Sequence, residues 1–193
     1  MTLQEVVARF NTTPFLFAGS GITRRYYGLP DWVGLLTHFA EKVKNDQFAF
    51  RYYESKVSEL DDAEKLPTIA SYIEKDFNEA WFNNLPGVRS ESENVQRTVS
   101  EGVSPFKAEI AEYINSISVV KNEYNEEVKK LQNIAKNNIS GVITTNYDCF
   151  FENLFDGYKT FIGQDELVFS QLQGVAEIYK IHGSVQSPLS IVI

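Results

Sequence analysis

The chain has 193 residues, 43% of them hydrophobic, and a formal net charge of −8. This length and hydrophobic content allow a core of ordinary domain size, whereas the acidity argues against direct nucleic-acid binding, because phosphate recognition needs clustered Lys and Arg. The single cysteine, Cys149, excludes a disulfide framework and a four-cysteine zinc site, and we interpret it as a small buried hydrophobic residue.

The N-terminal segment predicts a short helix and no targeting signal. Apolar residues recur with the i, i+3, i+4, i+7 spacing of an amphipathic helix from Leu3 to Phe10, and Pro14 ends this pattern because it disfavours helical backbone at Thr13. The start of the chain lacks the basic and apolar regions of a signal peptide, and no apolar run is long enough to span a bilayer. We therefore expect a soluble cytoplasmic protein without a membrane partner.

A strand and a turn of small residues are predicted next. Phe15 to Ala18 is an apolar run too short for a buried helix, which favours a central strand. The tripeptide Gly19-Ser20-Gly21 then predicts a turn whose backbone amides can approach a phosphate, and Arg24 or Arg25 can pair with a pyrophosphate. A turn of this composition is more often structural than functional, and the third glycine of a dinucleotide fingerprint is missing.

Helical spacing dominates the middle of the chain. Asp31 is the expected N-cap of a helix that turns Trp32, Leu35, Leu36 and Phe39 inward, with His38 as a packed or surface residue. From about residue 46 to residue 138 further helical segments are predicted: Leu60 to Phe77 with a cap at Asp61-Asp62, Ala80 to Pro86, Pro105 to Ile117, and Val119 to Ala135. Pro67 must lie early in a helical turn or break the first of these segments.

The last third of the chain alternates strands and helices, which predicts an α/β sheet with parallel pairing. The predicted segments are Val142 to Thr144, Phe150 to Phe155, Lys159 to Ile162, Glu166 to Leu172 and Ile178 to Ile181. The final residues, Pro188 to Ile193, have a strand pattern with no turn after them. We therefore expect the chain to be a fragment of a longer protein.

Three of the predicted strands end in small or polar residues. They are followed by Gly19-Ser20-Gly21, by Thr145-Asn146-Tyr147-Asp148, and by His182-Gly183-Ser184. Because open α/β sheets bind ligands outside the carboxyl ends of their strands, we expect these segments to meet at one site. Taken singly they are ambiguous: Asp148 suits a helix N-cap as well as a ligand role, His182 has even odds of being functional, and Thr144 and Thr145 suit an ordinary strand.

Four motifs in this order resemble those of the sirtuin superfamily: Phe17 to Thr23, Gly28 to Trp32, Thr144 to Asp148, and Lys180 to Ser184. They frame nearly the whole chain, and the helical segment at about 46–138 would be an insertion in a Rossmann-like parallel sheet. The similarity is to the branch of bacterial NAD-hydrolysing antiphage-defence effectors, since Thr-Thr-Asn-Tyr-Asp is common there and the four-cysteine zinc module of deacylases is missing. Ser20, where the family often has alanine, is a mild departure.

This resemblance implies an NAD+ glycohydrolase that cleaves NAD+ to nicotinamide and ADP-ribose without a metal, in antiphage defence by NAD depletion (abortive infection). Asn146 would bind the ribose hydroxyls or orient the attacking water, and His182 would act as general base, since histidine titrates near neutral pH. Asp148 would hold the nicotinamide carboxamide. The remaining residues implied to bind NAD are Gly19, Ser20, Gly21, Thr23, Arg24, Asp31, Thr145, Gly183 and Ser184, with the glycine segment at the pyrophosphate.

Two other functions stay open on the same scaffold. One is an NAD-dependent protein deacylase or ADP-ribosyltransferase, which the missing zinc module disfavours; the other is a catalytically idle nucleotide-binding sensor. Because an enzyme that destroys NAD in the cytoplasm must be gated, we also expect a homo-oligomer and a sensor or partner domain beyond Ile193. The aromatic residues of the helical segment (Phe48, Phe50, Tyr52, Tyr53, Trp81, Phe82) suggest surfaces for self-association, although packing between the helices explains them equally well.

Overall fold

The protein is an α/β fold with a four-stranded parallel sheet, seen in a computed structural model that describes residues 13–193 without the side chains of residues 135–137 and 165. The strands are β1 (Phe15–Ala18), β2 (Gly141–Thr144), β3 (Lys159–Ile162) and β4 (Glu177–Lys180), in the order β1-β2-β4-β3. The predicted α/β class and parallel pairing are therefore confirmed. The helix predicted from Leu3 to Phe10 lies outside the described residues.

The register of the sheet aligns the carboxyl ends of all four strands. Ala18 of β1 is opposite Thr144 of β2, which is opposite Lys180 of β4, which is opposite Ile162 of β3. The segments that follow these residues therefore leave the sheet at one edge and at one level, as expected for a ligand-binding crevice.

The helices in the described part of the chain begin with α1 (Ser20–Tyr26), directly after β1. Six more lie before β2 and fill the segment that was predicted to be helical: α2 (Trp32–Lys44), α3 (Ala49–Ser55), α4 (Asp62–Phe82), α5 (Glu93–Ser100), α6 (Pro105–Ile117) and, as the last before β2, α7 (Asn125–Asn138). Between the later strands lie α8 (Phe150–Leu154) and α9 (Gly163–Phe169); short 3-10 turns at Asn122–Tyr124, before α7, and at Pro188–Ser190, after β4, complete the described elements.

Two faces of the sheet differ in their burial. Val142 and Ile178 are fully buried, and so are Thr144 and Lys180 on the same face. On the other face Phe17 of β1 is 68% exposed. Within residues 13–193 β1 is an edge strand, so the prediction of a central strand from its apolar run is wrong. The run is apolar because alternate residues pack on opposite faces, with Phe15 stacked on Tyr179.

Helix α4 is longer than its sequence pattern predicts. It runs through Pro67 to Phe82, so the predicted break at Phe77 is wrong and Ala80 to Pro86 is not a separate element. Proline in a helix interior removes one backbone hydrogen bond. The helix continues because a stripe of buried residues after Pro67 packs into the core: Ile69, Ala70, Ile73, Phe77 and Trp81.

The last residues of the chain do not form the predicted strand. No strand is assigned to Ile191 or its neighbours. Ile191 is buried in the core, and the backbone N–H of Val192 donates to the carbonyl of His182 at 3.0 Å. Their apolar character therefore reflects packing against the strand ends rather than pairing in the sheet.

A buried carboxylate joins three of the helices that precede β2. Glu109 of α6 accepts hydrogen bonds from the Trp81 indole (3.2 Å) and the Ser90 backbone N–H (2.8 Å), and its other oxygen lies 3.3 Å from the Lys42 ammonium of α2. Each charge in this pair is compensated, which a buried carboxylate requires. The arrangement stabilises the packing of α2, α4 and α6 away from the strand ends.

The aromatic residues of the helical segment divide between core and surface. Tyr53 and Trp81 are buried, whereas Phe48, Tyr52 and Phe82 are exposed. The predicted homo-oligomer stays a prediction, with the three exposed rings as its candidate contacts. Over residues 13–193, no helix combines the length and the apolar composition needed to cross a bilayer.

Gly141 gives a test of the sheet packing. A Cβ atom at this position would lie 2.3 Å from the Phe15 ring and 2.6 Å from the Glu177 carbonyl oxygen, so we expect Gly141→Ala to lower the free energy of unfolding by about 1–3 kcal/mol. Gly21→Ala is the matched control, because its Cβ would meet nothing within 4 Å on a helix that alanine favours. Urea denaturation monitored by circular dichroism measures both changes. A Gly141→Ala protein as stable as the wild type would contradict this account of the packing.

Candidate active site

A cavity of about 370 Å³ lies where β1, β2 and β4 end. Its polar wall consists of residues that follow these strands or cap the next helix: Ser20, Thr23, Asp31, Thr145, Asn146, Asp148 and His182. Its apolar wall comes from the helices, the β2 loop and the C-terminal residues: Leu29, Pro30, Trp32, Leu35, Pro67, Ile114, Tyr147, Val192 and Ile193. Of the residues predicted to form the site, Gly19, Gly21, Arg24, Gly183 and Ser184 do not line this cavity.

The Asn146 side chain is buried and oriented by β1 and α1. Its Nδ2 atom donates to the Gly19 carbonyl (3.2 Å) and to the Thr23 hydroxyl (3.3 Å), while its backbone N–H donates to the Thr144 hydroxyl (3.0 Å). Both side-chain hydrogen bonds within the described structure use the nitrogen. The carbonyl oxygen of the Asn146 amide is therefore the atom left to accept a hydrogen bond from a ligand.

The predicted Gly19-Ser20-Gly21 turn is instead the start of a helix. Gly19 is the N-cap of α1, and Ser20 and Gly21 are its first residues, so the separate turn is a wrong prediction. The strand passes directly into the helix, and Ser20 and Thr23, one turn apart, face the cavity. The first backbone amides of a helix lack partners within it, so this junction still offers N–H groups to an anion.

The two arginines that follow have different environments. Arg25 forms a two-point ion pair with Glu127 of α7, with contacts of 2.9 and 3.2 Å, and its guanidinium lies over the Tyr124 ring. Arg24 lies 3.3 Å from Asp31 in an exposed pair of the kind that contributes little stability. Arg24 is thus the arginine beside a cavity residue, and Arg25 attaches α1 to α7.

Asp31 is the helix cap that the sequence predicts. Its Oδ1 atom accepts from the Gly34 backbone N–H at 2.9 Å at the start of α2, and the inward side of α2 buries Leu35, Leu36 and Phe39. The same residue lines the cavity and contacts Arg24 through its second oxygen.

Asp148 lies one residue before the N-cap of α8, which is Cys149, so Asp148 is not itself the N-cap that the sequence allowed. Its Oδ1 atom accepts from the Phe150 backbone N–H at 3.0 Å at the start of α8, and the residue also lines the cavity. It is only 4% exposed. Burial raises the pKa of the Asp148 carboxyl, while the Phe150 N–H, the Lys180 ammonium and the Thr23 hydroxyl oppose this rise.

Lys180 was not predicted as part of the site. It is fully buried at the end of β4, its ammonium donates to the Asp148 backbone carbonyl, and it lies 3.0 Å from a carboxylate oxygen of Glu152. The Glu152 oxygens make no aligned hydrogen bond, so this contact is an ion pair. The sequence did contain a signal for this burial. Lys180 lies two residues after Ile178, so strand alternation places both side chains on the same, buried face of the sheet.

His182 presents an exposed side chain to the cavity, with no hydrogen bond to any residue of 13–193. The next residue must be glycine, because Gly183 has φ +92° and a Cβ there would lie 2.2 Å from the Ser190 carbonyl oxygen. Ser184 is fully buried and its N–H donates to the Ser190 hydroxyl at 3.1 Å. These two residues hold the loop that presents His182.

Two residues were interpreted as structural, and neither of them lines the cavity. Cys149 is half-buried, and burial raises the pKa of its thiol to about 11. His38 stacks on Tyr113 with ring centroids 4.2 Å apart, and burial lowers its pKa. Within the described residues no group of three or more His, Cys, Asp or Glu side chains is arranged to bind a metal ion.

Comparison with known proteins supports the resemblance seen in the motifs. Residues 140–193 match the model of the SIR2-like domain family, a range that begins just before β2 and includes Asn146, Asp148 and His182. A search of curated proteins found no match. The resemblance to the sirtuin superfamily is thus confirmed for residues 140–193, the part of the chain that supplies most of the polar cavity wall.

Proposed function

We propose that this protein is an NAD+ glycohydrolase that releases nicotinamide and ADP-ribose. The observation that carries the proposal is that Asn146, Asp148 and His182 line one cavity at the strand ends of a SIR2-like domain. SIR2-like domains support NAD-related chemistry in general. The proposal adds that the reaction is hydrolytic and that it serves antiphage defence by depleting NAD.

The reaction breaks the bond between nicotinamide and the ribose C1′. The bonding electrons pass to the pyridinium nitrogen, which leaves as neutral nicotinamide, and the sugar passes through an oxocarbenium-like state as in other glycoside cleavages. Water then forms the new C1′–O bond and loses a proton. His182 is the candidate base for that proton, because its side chain is exposed to the cavity and free of hydrogen bonds within the described structure.

Asn146 is the candidate group for positioning the ribose. Its amide nitrogen is held by Gly19 and Thr23, so the carbonyl oxygen has a fixed direction before any ligand binds. A fixed acceptor can take a hydrogen bond from a ribose hydroxyl or from the attacking water without further loss of side-chain freedom. This agrees with the role that the family resemblance implies.

Asp148 and the apolar wall fit the nicotinamide end of the substrate. A carboxylate accepts a hydrogen bond from a carboxamide NH2, and rings such as Trp32 and side chains such as Leu29 offer a dry surface to a flat aromatic ring. Exclusion of bulk water also protects the electron-deficient, oxocarbenium-like sugar from side reactions until the positioned water attacks. The start of α1, with Arg24 nearby, is the candidate pyrophosphate site.

The first prediction concerns the reaction itself. The purified protein consumes NAD+ and releases nicotinamide and ADP-ribose with no acyl peptide present. Chromatography of the products distinguishes the alternatives: O-acyl-ADP-ribose formed only with an acetylated peptide would indicate a deacylase, and ADP-ribose attached to protein would indicate a transferase. Tight NAD+ binding without products would indicate a nucleotide sensor.

The second prediction concerns His182 and Asn146. We expect His182→Ala to reduce turnover about a hundredfold or more with unchanged stability, because its side chain is exposed and makes no hydrogen bond to the described residues. Asn146→Ala should reduce turnover similarly and also lower the free energy of unfolding by about 1 kcal/mol, since the Gly19 carbonyl loses one of its two hydrogen bonds and keeps the one from the Ile22 N–H. His38→Ala is the matched control and should retain turnover. Near wild-type NAD+ consumption by either site variant would contradict the assigned role.

The third prediction uses the buried charge of Asp148. Because folding raises the pKa of this carboxyl, the native state binds more protons than the unfolded state between the two pKa values, and stability falls as pH rises through that window. We therefore expect Asp148→Asn, which keeps an acceptor for the Phe150 N–H, to be as stable at neutral pH or more stable by on the order of 1 kcal/mol. The same change should reduce NAD+ turnover at least roughly tenfold. Thermal unfolding at pH 5 and pH 7.5 and an NAD+ assay measure both, and a less stable variant would contradict the prediction.

A further inference from the structure

Lys180 is a buried cation that the proposed reaction does not itself use. It is 0% exposed at the end of β4, on the face of the sheet that packs against the helices. Removing an ammonium from water is costly unless it is paired and hydrogen-bonded. Here Glu152 of α8 supplies the charge partner at 3.0 Å, and the Asp148 backbone carbonyl accepts a hydrogen bond.

The position of the acceptor connects this pair to the cavity. The loop from Thr145 to Asp148 is held at each step: the Asn146 N–H donates to the Thr144 hydroxyl, the Tyr147 carbonyl accepts from the Val185 N–H at 2.9 Å, and the Asp148 carbonyl accepts from Lys180. Of these three hydrogen bonds, only the last has a charged donor, the Lys180 ammonium. Charge-assisted hydrogen bonds are roughly twice as strong as neutral ones, so the Lys180 contact restrains the loop more strongly than either of the two neutral contacts.

We propose that Lys180 is a positioning residue of the active site, whose ammonium anchors the Asp148 backbone and thereby sets the directions of the Asp148 carboxyl and the Asn146 amide. Glu152 neutralises the anchor without occupying the cavity. The assignment of a catalytic consequence depends on the proposed NAD+ hydrolysis, whereas the anchoring of the loop does not.

A purely stabilising role accounts less well for this geometry. Replacing a buried ion pair by apolar side chains is often neutral or stabilising, so a Lys–Glu pair inside the core is not needed for stability alone. The Lys42–Glu109 pair offers a direct contrast: its carboxylate accepts hydrogen bonds from Trp81 and Ser90, and neither of these residues lines the cavity. In the Lys180 pair, by contrast, the ammonium donates to the backbone carbonyl of Asp148, a residue that lines the cavity.

The charges around Asp148 give the pair a measurable signature. The groups that face this carboxyl are Lys180 from β4, Glu152 and Cys149 from the start of α8, and Thr23 and Tyr27 from α1 and its end. Lys180 lowers the pKa of Asp148 and Glu152 raises it, with Lys180 the larger of the two effects. Removing both charges therefore raises the pKa of Asp148. As the pH falls, turnover that needs the ionised Asp148 carboxylate is then lost at a higher pH than in the wild type.

The experiment compares two charge-neutral double variants of the full chain. Lys180→Met alone leaves Glu152 as an unpaired buried charge and is expected to fold poorly, so the test variant is Lys180→Met/Glu152→Gln. The control is Lys42→Met/Glu109→Gln, which removes the buried pair of the helical core. Hydrogen exchange of peptides covering residues 141–155 is measured by mass spectrometry, together with kcat, KM and the pH dependence of NAD+ turnover.

We expect both double variants to fold, with amide exchange between residues 145 and 149 roughly tenfold faster only in the Lys180 variant. Its kcat should fall by about a hundredfold, with the acid limb of the pH profile moved upward, while the control keeps the wild-type profile. Unchanged exchange and an unchanged profile in the Lys180 variant would overturn the proposal. If the wild type consumes no NAD+, the exchange measurement alone decides the anchoring role, so the two failures are distinguishable.

Discussion

The in-register parallel pairing of β2 with β1 and β4 is the constraint on which the site depends. Parallel pairing sends all three carboxyl ends to one edge, and the register brings Ala18, Thr144 and Lys180 to the same level. Only with this alignment can the Gly19 carbonyl meet the Asn146 amide at 3.2 Å and the Lys180 ammonium reach the Asp148 carbonyl. At the opposite end of β2, Gly141 permits the close approach of Phe15 that maintains the same pairing.

Two buried carboxylates show how structure and proposed function divide in this protein. Glu109 receives two hydrogen bonds and an ammonium contact, so its oxygens are used by the fold itself. Asp148 accepts one backbone N–H, and burial raises its pKa. A buried acceptor with unused capacity at a cavity wall is costly to the fold and useful to a ligand that donates a hydrogen bond. This difference marks Asp148 as a functional candidate more clearly than its position after a strand does.

The sequence predicted those features that follow from local patterns. Short apolar runs identified β1 and β2, helical spacing identified α6, and the polar residues after the strands identified the cavity wall. The extension of α4 beyond Phe77 to Phe82 was not predicted in this way, because it depends on packing that Phe77 and Trp81 gain only in the folded core. The burial of Lys180 likewise depends on Glu152, a partner 28 residues away in sequence that no local pattern connects to it.

The helical segment between β1 and β2 also forms part of the cavity. Trp32 of α2, Pro67 of α4 and Ile114 of α6 supply apolar wall, whereas the polar wall comes from the strand ends and the helix starts beside them. The two walls are therefore restrained by different interactions: the polar wall by the sheet register and the Lys180 contact, the apolar wall by helix packing around Glu109. A displacement of the helices would change the volume and dryness of the cavity while leaving Asn146 and Asp148 in place. Control of the proposed NAD+ hydrolysis through this helical layer would need no change in the polar groups of the site, only in how completely they are enclosed.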